Sequence, residues 1–571
     1  MDTDVDALIR EHALKNAVLH HGTADPKAVV GKILGSRPDL RQQAREVIAR
    51  VAEVAGAVNA LGPEAQHEEL YALEPSFFAA EEKKRKDFPP LPGAVDGAVV
   101  TRMPPEPNGY PHIGHGLSFY FNYYYAKRYH GRVILRFDDT NPKAERREYY
   151  DAIKADLTWM GLTWDEERNM SDDMDRYRAC AEQLLAQGDA YVCTCGQETV
   201  SALRYAGTAC PCRALSSEEN AARWAEMQDA PEGAMVLRLK GDVASLNTTM
   251  RDPAIMRIID HPHPVQGDRY RLWPVYDFAC AIEDGTLGIT HVLRSNEFAL
   301  RIELQDYLRD RLGLPNPVTL QYSRFSIRGS PTSKRLIKPL IEDGTVTGWD
   351  DPRLVTIRGL ARRGIRPEAI YELAREMGLS TAEPEIDWSL VEAINRKLID
   401  PVTRRYFFVP DPVPVRVQGI EGREANLRMH PTEDLGTRRL AATPVLFLAR
   451  SDVRGLSPGD VVRLKDLCNI RIESVGDTVS AAVSTDPIDM HEVRKVQWVP
   501  DPGLPTTVLV PSSLYNADKE VVAESLAVEN GLAEPAVASL PVGTVVQFER
   551  YGFVRVDAQE PGATSVVFAH R

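Results

Sequence analysis

The 571-residue sequence predicts a multidomain protein of mixed α/β and β character, and three observations carry that expectation. The chain is several times the length of an ordinary domain, so more than one hydrophobic core is expected. Apolar strand-like runs alternate with helical patterns from Gly97 to about Met170, as βαβ units around a parallel sheet do. Past Pro401 the texture changes to short β-rich runs such as "TTVLVP" and "TVVQFERYGFVRVD", separated by Pro, Gly and Asp, which fits small β-barrels.

Taken in order, residues 1–80 read as an appended helical domain, with Ala- and Leu-rich amphipathic runs broken at "HHGTADPKAV" and "GSRPDL". The stretch "EEKKRKDFPPLPG" is a charge run closed by prolines and marks a linker over 81–96. One half of a sheet domain follows over 97–171, reading "AVVTRM", helix, "RVILRF", helix. A strand pattern at "LGITHVLR" and a helix near Ile302–Leu312 give the other half over 271–329. Residues 172–270 carry two cysteine pairs and read as an insertion into the sheet domain. Residues 330–400 are helical again, and 401–571 hold the β-rich remainder.

Hydrophobic content of 43% and aromatic content of 7% suit a soluble globular protein. No apolar run approaches the roughly 18 residues of a membrane span. The acidic start "MDTDVDALIREH" is no signal peptide, so a cytoplasmic protein without a membrane partner is expected. Seven cysteines, four of them in tight pairs, favour a reducing compartment. The net charge of −14 is neutral on a nucleic-acid partner, because an acidic enzyme can carry a basic face.

The stretch "PPEPNGYPHIGHG" concentrates the chemistry. Four prolines and a glycine stiffen the loop ahead of His112 and His115, which sit at a helix start. Strand, stiff loop and helix N-terminus present backbone N–H groups to an anion, and Gly114 lets a ligand approach the backbone. Such a site can bind a nucleoside triphosphate and stabilise attack at phosphorus. By itself H-x-x-H more often marks surface histidines or a metal pair. Cys193, Cys195, Cys210 and Cys212 form two C-x-C pairs able to wrap a tetrahedral Zn²⁺; free thiol pairs or a site that has lost its metal are the other readings.

In its βαβ setting the proline loop with His112 and His115 resembles the ATP signature, the HIGH motif, of class I aminoacyl-tRNA synthetases. The stretch "SPTSKRLIK" resembles their K-M-S-K-S signature, with Ser333-Lys334 matching the S-K core and Pro331 and Thr332 replacing lysine and methionine. "RMPPEPNGYPHIGH", "RFDDTNP", "YDFACAIEDGTLGITHVLR" and "GWDDPRL" narrow the resemblance to the glutamyl and glutaminyl branch. The N-terminal "ALKNAVLHHGTADPKAVVGKILG" and the cysteine insertion are similar to the archaeal-type glutamyl group.

That resemblance implies a class I Rossmann-type catalytic domain with an inserted acceptor-binding domain holding a structural zinc. A helical subdomain with the S-K loop and two anticodon-binding β-barrels complete it. It implies ATP with Mg²⁺, bound by Pro104, Asn108, His112, Gly114, His115, Ser333 and Lys334, with His112, His115 and Lys334 catalytic. Arg102, Asp138, Tyr276 and Arg294 would surround the amino acid. Arg294 stands where the glutaminyl branch has a small neutral residue, and a guanidinium that can grip a carboxylate favours glutamate. The expected reaction is ATP-dependent ligation of L-glutamate to tRNA(Glu) through glutamyl-adenylate, by a monomer, with tRNA(Gln) left open as a second acceptor. A glutaminyl-tRNA synthetase is the alternative, and a non-catalytic tRNA-binding paralogue the alternative of another class.

Overall fold

The structure, a computed structural model, describes residues 3–19, 22–62, 65–66, 69–70, 73–74, 87–485 and 493–571. It divides into two compact units, residues 1–87 and 88–571. Of the linker expected over 81–96, residues 81–86 lie outside the described residues.

The first unit packs α1 (Thr3–Leu19), α2 (Pro26–Ser36) and α3 (Ala44–Asn59). The α3 valines 47, 51, 54 and 58 recur at three- and four-residue spacing and so share one helix face. They meet Ile9 and Leu14 of α1 and Val29 and Ile33 of α2 in one core. Helix α2 starts where Asp25 accepts a hydrogen bond from the Lys27 N–H at 3.0 Å, with Pro26 in the first turn.

The second unit begins with parallel strands β1 (Val100–Met103), β2 (Arg132–Phe137) and β3 (Glu166–Asn169). Helices α4 (Ile113–Arg128) and α5 (Arg147–Trp159) make the crossovers. After α6 (Met174–Gln187) comes an antiparallel sheet of β4 (Ala190–Cys193), β5 (Val236–Leu239), β6 (Ala254–Ile258) and β7 (Leu272–Pro274), in that order. Strand β7 runs almost directly into α7 (Tyr276–Thr286). The chain then forms β8 (His291–Ser295), α8 (Arg301–Leu312) and β9 (Val318–Tyr322), with β8 and β9 parallel. The Thr290 N–H donates to the Val100 carbonyl at 3.0 Å, which brings this second pair alongside β1. All four residues of β1 are buried, as in a central strand covered on both faces.

The antiparallel sheet shares its core with helices α7 and α8. Leu184, Trp224, Leu237 and Trp273 belong to the same buried cluster as Phe278 and Ile282 of α7 and Leu304 of α8. Helices α9 (Lys334–Glu342), α10 (Ile357–Arg363), α11 (Pro367–Met377) and α12 (Trp388–Ile399) follow. Ile370 and Leu373 of α11 join Leu117 and Phe121 of α4 in the main core.

The C-terminal region forms two seven-stranded sheets, and they are nested rather than sequential. The chain lays Arg405–Tyr406 and Phe408–Pro410 into one sheet, forms the strands of the other between Pro412 and Pro500, with a separate two-stranded sheet of Glu424–Arg428 and Thr437–Ala441 on the way, and returns with strands between Leu504 and His570 to finish the first. A buried ion pair closes the join. Glu534 accepts from Arg438 Nε at 2.6 Å and from the Phe407 N–H at 2.9 Å.

Gly131, between α4 and β2, has no room for a side chain: a Cβ there would lie 2.0 Å from the Val99 carbonyl oxygen. Gly131→Ala should therefore destabilise the second unit by about 3 kcal/mol, seen as a lowered thermal midpoint with the first unit's transition unmoved.

Candidate active site

Residues at the carboxyl ends of β1 (Arg102) and β8 (Leu293, Arg294 and Ser295) line a cavity of about 600 Å³, at the switch point of the sheet. Arg102, Pro104, His112, Gly114, His115, Asp138, Tyr276, Arg294 and Ser333 line it. Asn108 and Lys334 line an adjoining recess that shares His112, His115 and Ser333. The structure thus gathers every residue named above for nucleotide and amino acid, drawn from stretches more than 200 positions apart.

The start of α4 works differently from the backbone anion site expected of it. His112 is the N-cap; its Nδ1 accepts from the Gly114 N–H at 3.0 Å, and His115 Nδ1 accepts from the His112 N–H at 3.2 Å. The Ile113 N–H is also taken, by the Val355 carbonyl at 2.8 Å. Two N–H groups of the first turn, those of Ile113 and Gly114, are therefore already taken within the protein, one by a neighbouring carbonyl and one by the cap. With both Nδ1 atoms accepting, each ring carries its proton on Nε2 and offers an imidazole donor instead. The two ring centres lie 4.0 Å apart. A Cβ on Gly114 would meet His112 Cε1 at 2.8 Å, so this glycine makes room for the capping ring.

Burial holds the His112 imidazole well below its usual value, helped by neighbouring His115 and Arg324. His115 borders the cavity and is exposed to it, and desolvation by the surrounding protein still pulls this imidazole down to about 4. Both rings are neutral donors at pH 7. A depressed histidine pKa stabilises the fold above the unfolded value of about 6.5, a contribution lost as the pH falls through the folded value.

Four buried charges form a chain under the floor. Asp284 Oδ1 accepts from Arg102 Nε at 3.0 Å and from Arg136 Nη1 at 2.6 Å, and Arg136 Nε donates to Asp138 Oδ1 at 2.7 Å. The two guanidinium groups keep the Asp284 carboxyl far below its usual range against the cost of burial. Arg102 retains a buried Nη1 with no partner. Arg294, also buried, gives Nη1 to Gln305 Oε1 at 2.8 Å and keeps a buried Nε without a partner. No carboxylate among the described residues pairs with it. Tyr276 starts α7, and burial pushes its phenol far above the usual value, so the hydroxyl remains a donor.

Lys334 is the first residue of α9 and Ser333 its N-cap. The ammonium donates to the Asn108 carbonyl and lies 4.8 Å from the centre of the Tyr149 ring. Burial and the nearby Arg146 lower its pKa. The two signatures are thereby in direct contact, and a Cβ on Gly109 would stand 3.3 Å from Lys334 Cδ.

Away from the cavity, Cys193, Cys195, Cys210 and Cys212 bring their sulfurs within 4.8 Å of one another. The closest pairs are 195 with 210 at 3.3 Å and 193 with 210 at 3.6 Å. Tetrahedral Zn–S bonds of about 2.3 Å require sulfur–sulfur edges of roughly 3.8 Å, so the four fit such an ion.

Sequence reading passed over Arg136, Asp284, Arg257, Arg324 and Gln305. Arg136 and Asp284 lie inside the quoted stretches "RFDDTNP" and "YDFACAIEDG", and their buried pairing was the missing information. Arg257 of β6 and Arg324 line the cavity from segments with no local signal.

A parallel sheet with two nucleotide signatures meeting at its switch point, followed by paired β-sheets, is the architecture of a class I aminoacyl-tRNA synthetase. The chain belongs to the tRNA synthetases class I (E and Q): residues 98–401 match the catalytic domain of that family, and 403–486 and 495–557 its anti-codon binding domains. Over the full length of both chains it is 41% identical to the glutamate–tRNA ligase of Pyrococcus furiosus and 40% identical to that of Nitrosopumilus maritimus. A solved glutamate tRNA ligase from Elizabethkingia meningosepticum is a remote likeness. It has 20% identity and a TM-score of 0.38 over 53% of this chain and 70% of that one.

The neutral, Nε2-protonated state of His112 and His115 is open to direct measurement. Their ¹⁵N signals should show the same tautomer from about pH 8 to pH 6, where a free histidine becomes mostly charged. Titration of either ring with a midpoint near 6.5 would show that the cap does not hold it.

Proposed function

We propose that this chain ligates L-glutamate to tRNA(Glu) in two steps, through glutamyl-adenylate. One observation carries the choice of amino acid: Arg294 and Arg102 border the same cavity, and each keeps a buried guanidinium N–H with no acceptor. Arg102 is ion-paired with Asp284, whereas Arg294 meets no carboxylate among the described residues; a buried cation without one costs several kcal/mol, so the pocket favours a ligand with a side-chain carboxylate and penalises a neutral amide.

In this reading an α-carboxylate oxygen of glutamate attacks the α-phosphorus of ATP and pyrophosphate leaves. The 2′-hydroxyl of the tRNA's terminal ribose then takes the acyl group and AMP departs. His112 and His115 donate from Nε2 to phosphate oxygens, and Lys334 neutralises charge on the departing pyrophosphate. Pro104, Asn108, Gly114 and Ser333 shape the nucleotide's bed. Asp138 receives the substrate's ammonium group, with Tyr276 and Arg102 beside it. The only cluster of metal-ligating side chains among the described residues is the cysteine set. Mg²⁺ would accordingly be carried chiefly by the ATP phosphates, whose charge it neutralises. The four cysteines hold a structural Zn²⁺ in the domain that grips the acceptor end, and the protein works as a cytoplasmic monomer.

Charging of labelled glutamate and glutamine, side by side on tRNA(Glu) and tRNA(Gln) transcripts, tests the proposal. Wild type should accept glutamate, and Arg294→Cys should lose it by about 10²-fold or more. A wild-type preference for glutamine would overturn the reading. The metal is tested apart from activity: elemental analysis should find one zinc per chain, and Cys210→Ser should release it and lower the thermal midpoint.

A further inference from the structure

Arg294 can read a substrate carboxylate only if the protein does not already supply one, and the structure shows how that is arranged. Gln305 on α8 is 1% exposed and bonded at both ends. Its Oε1 accepts from Arg294 Nη1 at 2.8 Å, and its Nε2 donates to Asp277 Oδ1 at 3.0 Å. The other Asp277 oxygen is ion-paired with Arg301, one turn before Gln305 on α8. A carboxylate only accepts and a guanidinium only donates, so the amide can sit in one orientation: NH₂ toward Asp277, carbonyl toward Arg294. The Asp277 carboxylate thus spends its charge on Arg301, and a neutral dipole separates it from Arg294.

We infer that Gln305 is a positioning residue that sets amino-acid specificity by holding Arg294 in place without cancelling its charge. This rests on the glutamate reading of the pocket. A glutamate at this position has the same shape, yet would put a carboxylate on Arg294 from inside the protein. The guanidinium would then be satisfied before any ligand arrived. A carboxylate substrate would meet a neutral pair with a second acidic group behind it, whereas a neutral amide substrate would lose nothing.

Gln305→Glu and Gln305→Met separate charge from shape. Pyrophosphate exchange with tRNA present is measured against glutamate and glutamine, with KM for ATP and the thermal midpoint followed alongside. For Gln305→Glu, kcat/KM for glutamate should fall about 10²-fold through KM, while that for glutamine holds or rises and KM for ATP does not move. Gln305→Met keeps the charge of Arg294 and loses its anchor. It should weaken glutamate binding yet preserve the preference for glutamate over glutamine. In the Gln305→Glu background, Arg294→Cys should add little further loss, since the two changes disable one interaction. Unchanged discrimination in Gln305→Glu would overturn the inference, as would a loss that follows the thermal midpoint or falls equally on ATP. Failure of the glutamate reading looks different: wild type itself would not prefer glutamate, or Arg294→Cys alone would leave that preference intact.

Discussion

The second unit is organised around Asp284. One of its oxygens accepts from Arg102 on β1 and from Arg136 on β2, while its backbone belongs to α7 in the other half of the chain's catalytic domain. Moving such ions out of water costs several kcal/mol each unless they are paired and hydrogen-bonded. Arg102 and Arg136 are both 1% exposed or less; Arg102 depends on Asp284 for its buried ion pair, and Arg136 divides its charge between Asp284 and Asp138. Pairing therefore does two things at once: it lets β1 and β2 lie deep in the sheet, and it fixes α7, with Tyr276 and Asp277 at its start. Arg136 passes the constraint on to Asp138, which reaches the cavity wall.

A second constraint acts on the nucleotide side. An α-helix begins with N–H groups that need acceptors, and here the acceptors are imidazole nitrogens. Capping settles the tautomer, the tautomer directs a donor from Nε2, and the ring at position 112 needs a glycine at 114 to fit. Lys334 reaches back across to the Asn108 carbonyl, so the stiff proline loop is braced from the far signature as well. Side chains expected to act only on phosphate thus also build the turn that presents them.

What the sequence made legible was local. The helical first unit, the βαβ pattern, the proline loop, the S-K stretch and the cysteine pairs all announce themselves in contiguous stretches of chain. What stayed hidden depends on pairing over long separations. Arg136 and Asp284 are 148 positions apart and look unremarkable until they touch. Nesting of the C-terminal sheets is invisible to a scan of alternating residues, because strand partners are chosen by the fold and not by neighbours in the chain. The histidine pair shows a third kind of gap. Its position could be read, but the use of its nitrogens as caps could not, since both a backbone and a side-chain solution satisfy the same helix end.

The insertion was expected as an acceptor-binding domain set into the sheet domain, and its core is joined to helices α7 and α8 of that domain. Trp273 of β7 is fully buried in the same cluster as Phe278 and Ile282 of α7, and Tyr276 stands between them at the cavity. Strand β6 of that same sheet supplies Arg257 to the lining, with a buried Nε that has no partner. Close-packed interiors do not deform smoothly; they transmit a displacement to whatever shares the packing. A shift of β6 or β7 cannot leave Arg257 and Tyr276 where they were. The inserted sheet is therefore part of the pocket's wall, and the pocket has its finished shape only when that sheet is in place.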